Sequence, residues 1–199
     1  RKTEKPAISF ESIPVTEDLT ADKSLVELYE VDQQLVDQAG LLEKHPKFPL
    51  EEGLEYVGSH VCKICHEYEY DKWSTKKHAH AYKTLEEVGS QYDPECVVCH
   101  VVAMDYETGY YNETNTSHLK NVGCESCHGP GSLHIKSCGK EKTTEPKSQC
   151  IDCHTPEQSK NYLGNEEEYF EKIIHWKEHS SPNDVKSNEK NYENNASEN

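Results

Sequence analysis

Eight of the nine cysteines in this 199-residue chain fall into four pairs with two residues between them, and each pair is followed at once by histidine. The runs are Cys62-Lys-Ile-Cys65-His66, Cys96-Val-Val-Cys99-His100, Cys124-Glu-Ser-Cys127-His128 and Cys150-Ile-Asp-Cys153-His154. With 12 histidines in 199 residues, chance places one after all four pairs about once in 10⁵ such chains. Cysteines three positions apart lie about one helical turn from each other, so both thiols can present to one ligand while the adjacent imidazole reaches over it.

The pattern is that of c-type haem attachment, with two thioethers to one macrocycle and one histidine on its iron. Two zinc ribbons would also use four CxxC pairs, but the four following histidines would then be surplus. A disulfide framework fits less well, because CxxC disulfides are redox-active features rather than staples. Four haem c groups are therefore expected, with Cys62, Cys65, Cys96, Cys99, Cys124, Cys127, Cys150 and Cys153 as thioether positions and His66, His100, His128 and His154 as proximal ligands. Attachment of haem c follows export, so the expected compartment is the periplasm or the cell exterior. The chain starts at Arg1 without an initiator Met, which fits an export signal already removed. Cys138, left over in a Ser-Cys-Gly loop, reads as a free thiol, with an intermolecular disulfide as the lesser option.

Composition supports a core that is not made of side chains. The apolar set reaches only 33% of residues, too little for a conventional interior. Four flat macrocycles can replace what is missing, and without them the chain is not expected to fold. No run of about 18 apolar residues occurs, so no transmembrane segment is expected. Lys and Arg are outnumbered 21 to 37 and the formal charge is −16, which argues against nucleic acid. The acidic balance serves solubility, and a basic redox partner is compatible with it.

Eight further histidines could close the far sides of the irons: His45, His60, His78, His80, His118, His134, His175 and His179. This is twice the number required, so closed, electron-passing irons are expected rather than open ones. The periodicity predicts a helix over 73–88 with His78, Ala81, Tyr82, Leu85 and Val88 on one face, which turns His78 inward and His80 to the surface. His134 follows the turn Gly129-Pro130-Gly131, which can fold the chain back across a haem. His118, six residues before Cys124, is a third candidate, whereas His60 sits very close to its own motif. A second helix is predicted over 165–180, with Asn165 and Glu168 as an N-capping pattern and an apolar stripe of Tyr169, Phe170, Ile173, Ile174 and Trp176. His175 and His179 share another face of it, either exposed or turned to a haem. Met104, the one methionine, reads as packing rather than as an iron ligand.

The flanks differ from the body. Residues 1–50 form an arm with one amphipathic helix, where Ser24 and Glu27 make a capping box ahead of Leu25, Leu28, Tyr29, Leu35, Val36 and Ala39 and Gly40 ends it. His45-Pro46-Lys47-Phe48-Pro49 then reads as extended. Residues 51–160 hold the four-haem core, 161–180 the C-terminal helix and 181–199 a polar tail whose composition calls for disorder unless a neighbouring subunit docks on it. Sequons at Asn112, Asn115 and Asn195 are glycosylation candidates and would imply a cell-surface life.

Residues 56–154 resemble the tetrahaem cytochrome family that includes the electron acceptor of hydroxylamine oxidoreductase in nitrifying bacteria. The resemblance rests on Tyr56-Val57-Gly58-Ser59, on Trp73 with His78-Ala79-His80-Ala81-Tyr82, on Asp93-Pro94-Glu95, and on the run from Gly123 to Ser132 with His134. It implies a mainly α fold with much irregular structure and little or no sheet, packed around four closely stacked covalent haems, with His78 and His134 as distal ligands. It extends to the four-haem subunits of extracellular cytochrome filaments, where an axial histidine crosses between subunits. On that reading the chain is a non-enzymatic electron conduit that polymerises head to tail, with His45 as the crossing ligand, and hands electrons to redox proteins or extracellular acceptors. A discrete periplasmic shuttle is the alternative. An enzyme with one open iron acting on a small nitrogen species is the third, and no catalytic acid or base is evident for it.

Overall fold

The structure is a computed structural model that describes residues 10–13, 19–144, 146 and 150–176. Each of the four motifs lies on a single short helical turn. Among the described residues the helices are α1 (Lys23–Ala39), α2 (Ser59–Cys62), α3 (Glu67–Trp73), α4 (Ala81–Val88), α5 (Pro94–Val97), α6 (Glu113–Thr116), α7 (Cys124–His128), α8 (Ser132–Lys136), α9 (Cys150–Cys153) and α10 (Glu166–Ile173). No sheet forms among them. Two isolated bridges occur, Phe48 with Tyr106 and Val101 with Lys120. The fold is thus mainly helical with long irregular connections, as the sequence leads one to expect.

The arm helix α1 is capped two residues earlier than its expected capping box. Asp22, not Ser24, is the N-cap: its Oδ1 accepts from Ser24 N at 2.8 Å and Leu25 N at 3.4 Å, which satisfies donors that the first turn leaves unpaired. Gly40 closes the helix in the left-handed conformation, φ 58°, and donates its N–H to Asp37 O. Tyr29 and Gln33 turn toward the body, and Tyr29 Oη lies 2.5 Å from Ser90 Oγ. The opposite face carries Leu28 (64% exposed), Val31 (51%) and Leu35 (57%), an apolar stripe left open. Past α1, Phe48 N donates to Asp105 O at 2.7 Å and Glu107 N to Phe48 O at 3.0 Å, so the extended segment is pinned to the body.

The helix predicted over 73–88 is broken. Helix α3 ends at Trp73, a 3₁₀ turn covers Lys77–His80, and α4 resumes at Ala81. The hydroxyls of Ser74 and Thr75 bond back to Asp71 O and Lys72 O, each at 2.8 Å, which gives the backbone an alternative to continuing. Tertiary bonds then fix the interruption: Trp73 Nε1 donates to Val122 O at 3.0 Å and Val122 N donates to His78 O at 3.1 Å. Tyr82 and Leu85 are buried as expected, but Val88 is 62% exposed because Gly89 ends the helix there.

The C-terminal helix is shorter than predicted, stopping at Ile173, where Ile174 turns extended (ψ 122°). Asn165 occupies the N-cap but makes no side-chain cap bond. Glu168 pairs with Lys172 at 2.6 Å instead of capping. His179, Asn195 and the tail over 181–199 lie outside the described residues.

The side-chain core is small. Leu42, Tyr82, Leu85, Val97, Val101, Val102, Met104, Tyr110 and Leu119 form the buried cluster, so Met104 packs as expected. Lys47 ties the arm to this cluster by donating Nζ to Met104 O and Tyr110 O. Among the described residues no helix is long and apolar enough to cross a membrane.

Candidate metal centres

The backbone of each motif makes the turn that brings its histidine over its cysteines. His66 N donates to Cys62 O at 2.9 Å, His100 N to Val97 O at 2.8 Å, and His154 N to Cys150 O at 2.8 Å. The third motif is a complete short helix, α7.

Three of the four motif histidines face a second imidazole. Ring centroids are 6.0 Å apart for His66 and His134, 6.1 Å for His78 and His154, and 6.5 Å for His128 and His175. Two imidazole nitrogens held about 2.0 Å from a shared metal, on opposite sides, put the ring centroids about 6.3 Å apart. The separations would let each pair hold one iron between its rings. For the third motif the surroundings agree: Cys124, Cys127, His128 and the facing His175 line one cleft together with Trp73 and Ile173. The residues fit covalent haem.

Hydrogen bonds at the other ring nitrogen sharpen the distinction. His100 Nδ1 lies 2.6 Å from Ala81 O, His134 Nδ1 2.8 Å from Glu141 O, and His175 Nδ1 2.9 Å from Ile173 O. A carbonyl can only accept, so Nδ1 donates and the Nε2 lone pair is free for a metal. His154 Nδ1 pairs with Ser159 Oγ at 2.8 Å, and its ring stacks on Tyr162 with centroids 5.1 Å apart. Two other candidates have Nε2 engaged. His80 Nε2 is 2.9 Å from Ser74 O and His45 Nε2 is 2.6 Å from Asp105 Oδ1. His118 and His60 face each other rather than a motif histidine, with centroids 5.8 Å apart. Among the described residues no histidine ring stands opposite His100.

Burial lowers the pKa of His78, His128 and His154, the first two helped by neighbouring imidazoles. All three are thus held in the neutral form that binds metal.

Neighbouring thiols show how the motifs adjoin. Cys62 and Cys124 are hydrogen-bonding partners, which pushes Cys62 up and holds Cys124 down to about 7. The bond between Cys99 and Cys153 likewise lowers Cys99 to about 7 and raises Cys153. Cys127 is raised by burial and then by the nearby Cys150. The motifs therefore adjoin in the order first, third, fourth, second.

Sequence reasoning missed one residue that organises the first and third motifs. Glu125, between the cysteines of α7, is 4% exposed. Its carboxylate accepts from Val57 N at 3.0 Å, Gly58 N at 2.6 Å and Gly131 N at 2.7 Å. It thereby clamps the segment before the first motif and the loop before His134 onto the third. Its partners are all backbone groups, two of them from a segment more than sixty residues away, so no local side-chain pattern reveals it. Of the sequons, Asn115 is exposed, while Asn112 caps α6 and donates Nδ2 to Glu43 Oε1 at 3.2 Å.

Residues 61–129 match the model of the family described as cytochrome c554 and c-prime. Cytochrome c-554 of Nitrosomonas europaea is 33% identical over 91 residues, 38% of this chain and 39% of that protein. The C-type polyheme cytochrome OmcB of Geobacter sulfurreducens is 35% identical over 68 residues, 31% of this chain and 9% of that protein. The matched stretches thus span well under half of either relative. The reduced state of the Nitrosomonas cytochrome c554 superposes with a TM-score of 0.49 and 24% identity, over 62% of this chain and 86% of that one. The family match and the motif geometry both point to c-type haem as the group these cysteines take.

Proposed function

We propose that this chain passes electrons through four covalently attached haems, and that copies join head to tail into an extracellular filament in which the haems continue from subunit to subunit. The observation that carries the electron-transfer reading is the set of facing rings, His66 with His134, His78 with His154 and His128 with His175. Haem c, when bound, supplies one-electron iron chemistry, and two axial imidazoles leave no position for a substrate. The chain's own work is to fix those imidazoles. Carbonyl acceptors at Glu141 and Ile173 set ring orientation for His134 and His175, and the adjoining cysteines keep successive motifs in contact. Such restraint limits reorganisation when charge moves.

Two observations support the filament. The stripe Leu28, Val31 and Leu35 on α1 is an apolar face suited to a neighbouring copy. His100 has one side for which no ring of the described residues is supplied, and a histidine from a second copy would close it. Only a heterologous, non-closing contact yields an open chain. Haem c attachment implies a place outside the cytoplasm, and surface sugar at Asn115 fits the extracellular side of that choice.

Electron microscopy and sedimentation of the native preparation test this: filaments are expected. A monomer at every concentration removes the filament and leaves a discrete carrier, the reading favoured by the match to cytochrome c-554. Electron paramagnetic resonance of the oxidised protein is expected to show at least three low-spin irons. A uniformly low-spin spectrum would also remove the third reading, an enzyme whose open iron at His100 takes a small nitrogen species.

A further inference from the structure

Two histidines that serve no motif have been brought together on the surface. His60 lies on α2 and His118 in the short turn after α6, and both are exposed. Their rings meet edge to face, centroids 5.8 Å apart and planes at 83°. Neither ring makes a hydrogen bond among the described residues, so their nitrogens are available.

The backbone beneath them explains the approach. Gly58 has φ +87°, a conformation that L side chains rarely adopt. A Cβ there would lie 3.1 Å from His60 Nδ1, 3.0 Å from His118 Cδ2 and 2.9 Å from His118 O, so the bare α-carbon is what lets both rings close over the same point. The same residue donates its N–H to Glu125 Oε2 at 2.6 Å. That carboxylate is buried and also accepts from Val57 N and Gly131 N, so it holds the Gly58 backbone in place. The ring pair thus opens to solvent on one side and rests on a fixed backbone on the other.

Two imidazoles binding one metal at about 2.0 Å have centroids about 5.2 Å apart at a tetrahedral angle and about 6.3 Å apart when collinear. The observed 5.8 Å lies between these limits. Imidazole nitrogen suits zinc, nickel and copper rather than magnesium or calcium. No cluster of three or more metal-binding side chains occurs among the described residues, so water would complete the shell.

We propose that His60 and His118 form a surface site for a divalent transition metal of the zinc, nickel or copper class, separate from the haem irons. The test is calorimetric titration of the haem-loaded, oxidised full chain with Zn²⁺ alone, which has no redox chemistry. One Zn²⁺ per chain is expected, with affinity at least tenfold weaker in both His60→Ala and His118→Ala and unchanged in His80→Ala, an exposed histidine whose Nε2 is already engaged. X-ray absorption at the zinc edge is expected to show two imidazole nitrogens. Haem content and spin state should stay as in the parent, because neither ring faces a motif histidine. No Zn²⁺ binding by the parent chain, unweakened binding in either histidine variant, or loss in His80→Ala as well would overturn the site.

Discussion

At the scale of single residues, what marks a candidate ligand is a ring that stands opposite a motif histidine. His78→Ala, His134→Ala and His175→Ala should each convert one low-spin iron to high spin, read by magnetic circular dichroism, whereas His80→Ala and His118→Ala should leave the spectrum unchanged. Glu125→Ala should cost about 1–3 kcal/mol for each backbone donor it orphans, measured by thermal unfolding of the haem-loaded protein. The four motifs were legible in full, because their cysteines and histidines recur at fixed spacing. The helix setting of His78 and the turn before His134 marked both rings, and the structure stands them opposite His154 and His66. His175 was ambiguous because a continuous helix over 165–180 would have placed it beside His179, whereas the chain leaves the helix at Ile173 and frees its ring to turn toward His128. His118, marked by its distance to Cys124 along the chain, lies beside His60, because spacing in an irregular segment does not fix direction.

Among the elements, α1 has the clearest consequence for assembly. Its existence, its apolar periodicity and its stop at Gly40 follow from sequence. Which apolar residues it turns inward does not, since that depends on Ser90 and the surface that Tyr29 and Gln33 meet. Leu28→Glu combined with Leu35→Glu should change the stability of an isolated subunit by well under 1 kcal/mol, as both positions are already exposed. The same pair should abolish self-association in sedimentation if α1 forms the contact between copies, and unchanged filaments would assign that contact elsewhere. The break between α3 and α4 was hidden because periodicity registers only which residues are apolar. The competing bonds of Ser74 and Thr75, and the reciprocal clamp of Trp73, His78 and Val122, are matters of tertiary structure.

At the scale of the molecule, the buried cluster of nine side chains among the described residues is a core too small for a chain of this length. Replacing all eight motif cysteines by alanine should therefore leave a product with no cooperative thermal transition by circular dichroism. Composition alone foretold this, since 33% apolar content leaves an interior to be filled by something else. The order of the motifs in space was not legible, because adjacency between distant segments is set by contacts such as Cys62 with Cys124 and Cys99 with Cys153. That order bears on truncation. The fourth motif follows the other three along the chain, yet in space it sits between the third and the second. Removing residues from Cys150 onward should therefore do more than subtract one motif: it leaves the first and third together and strands the second, which has no other motif beside it.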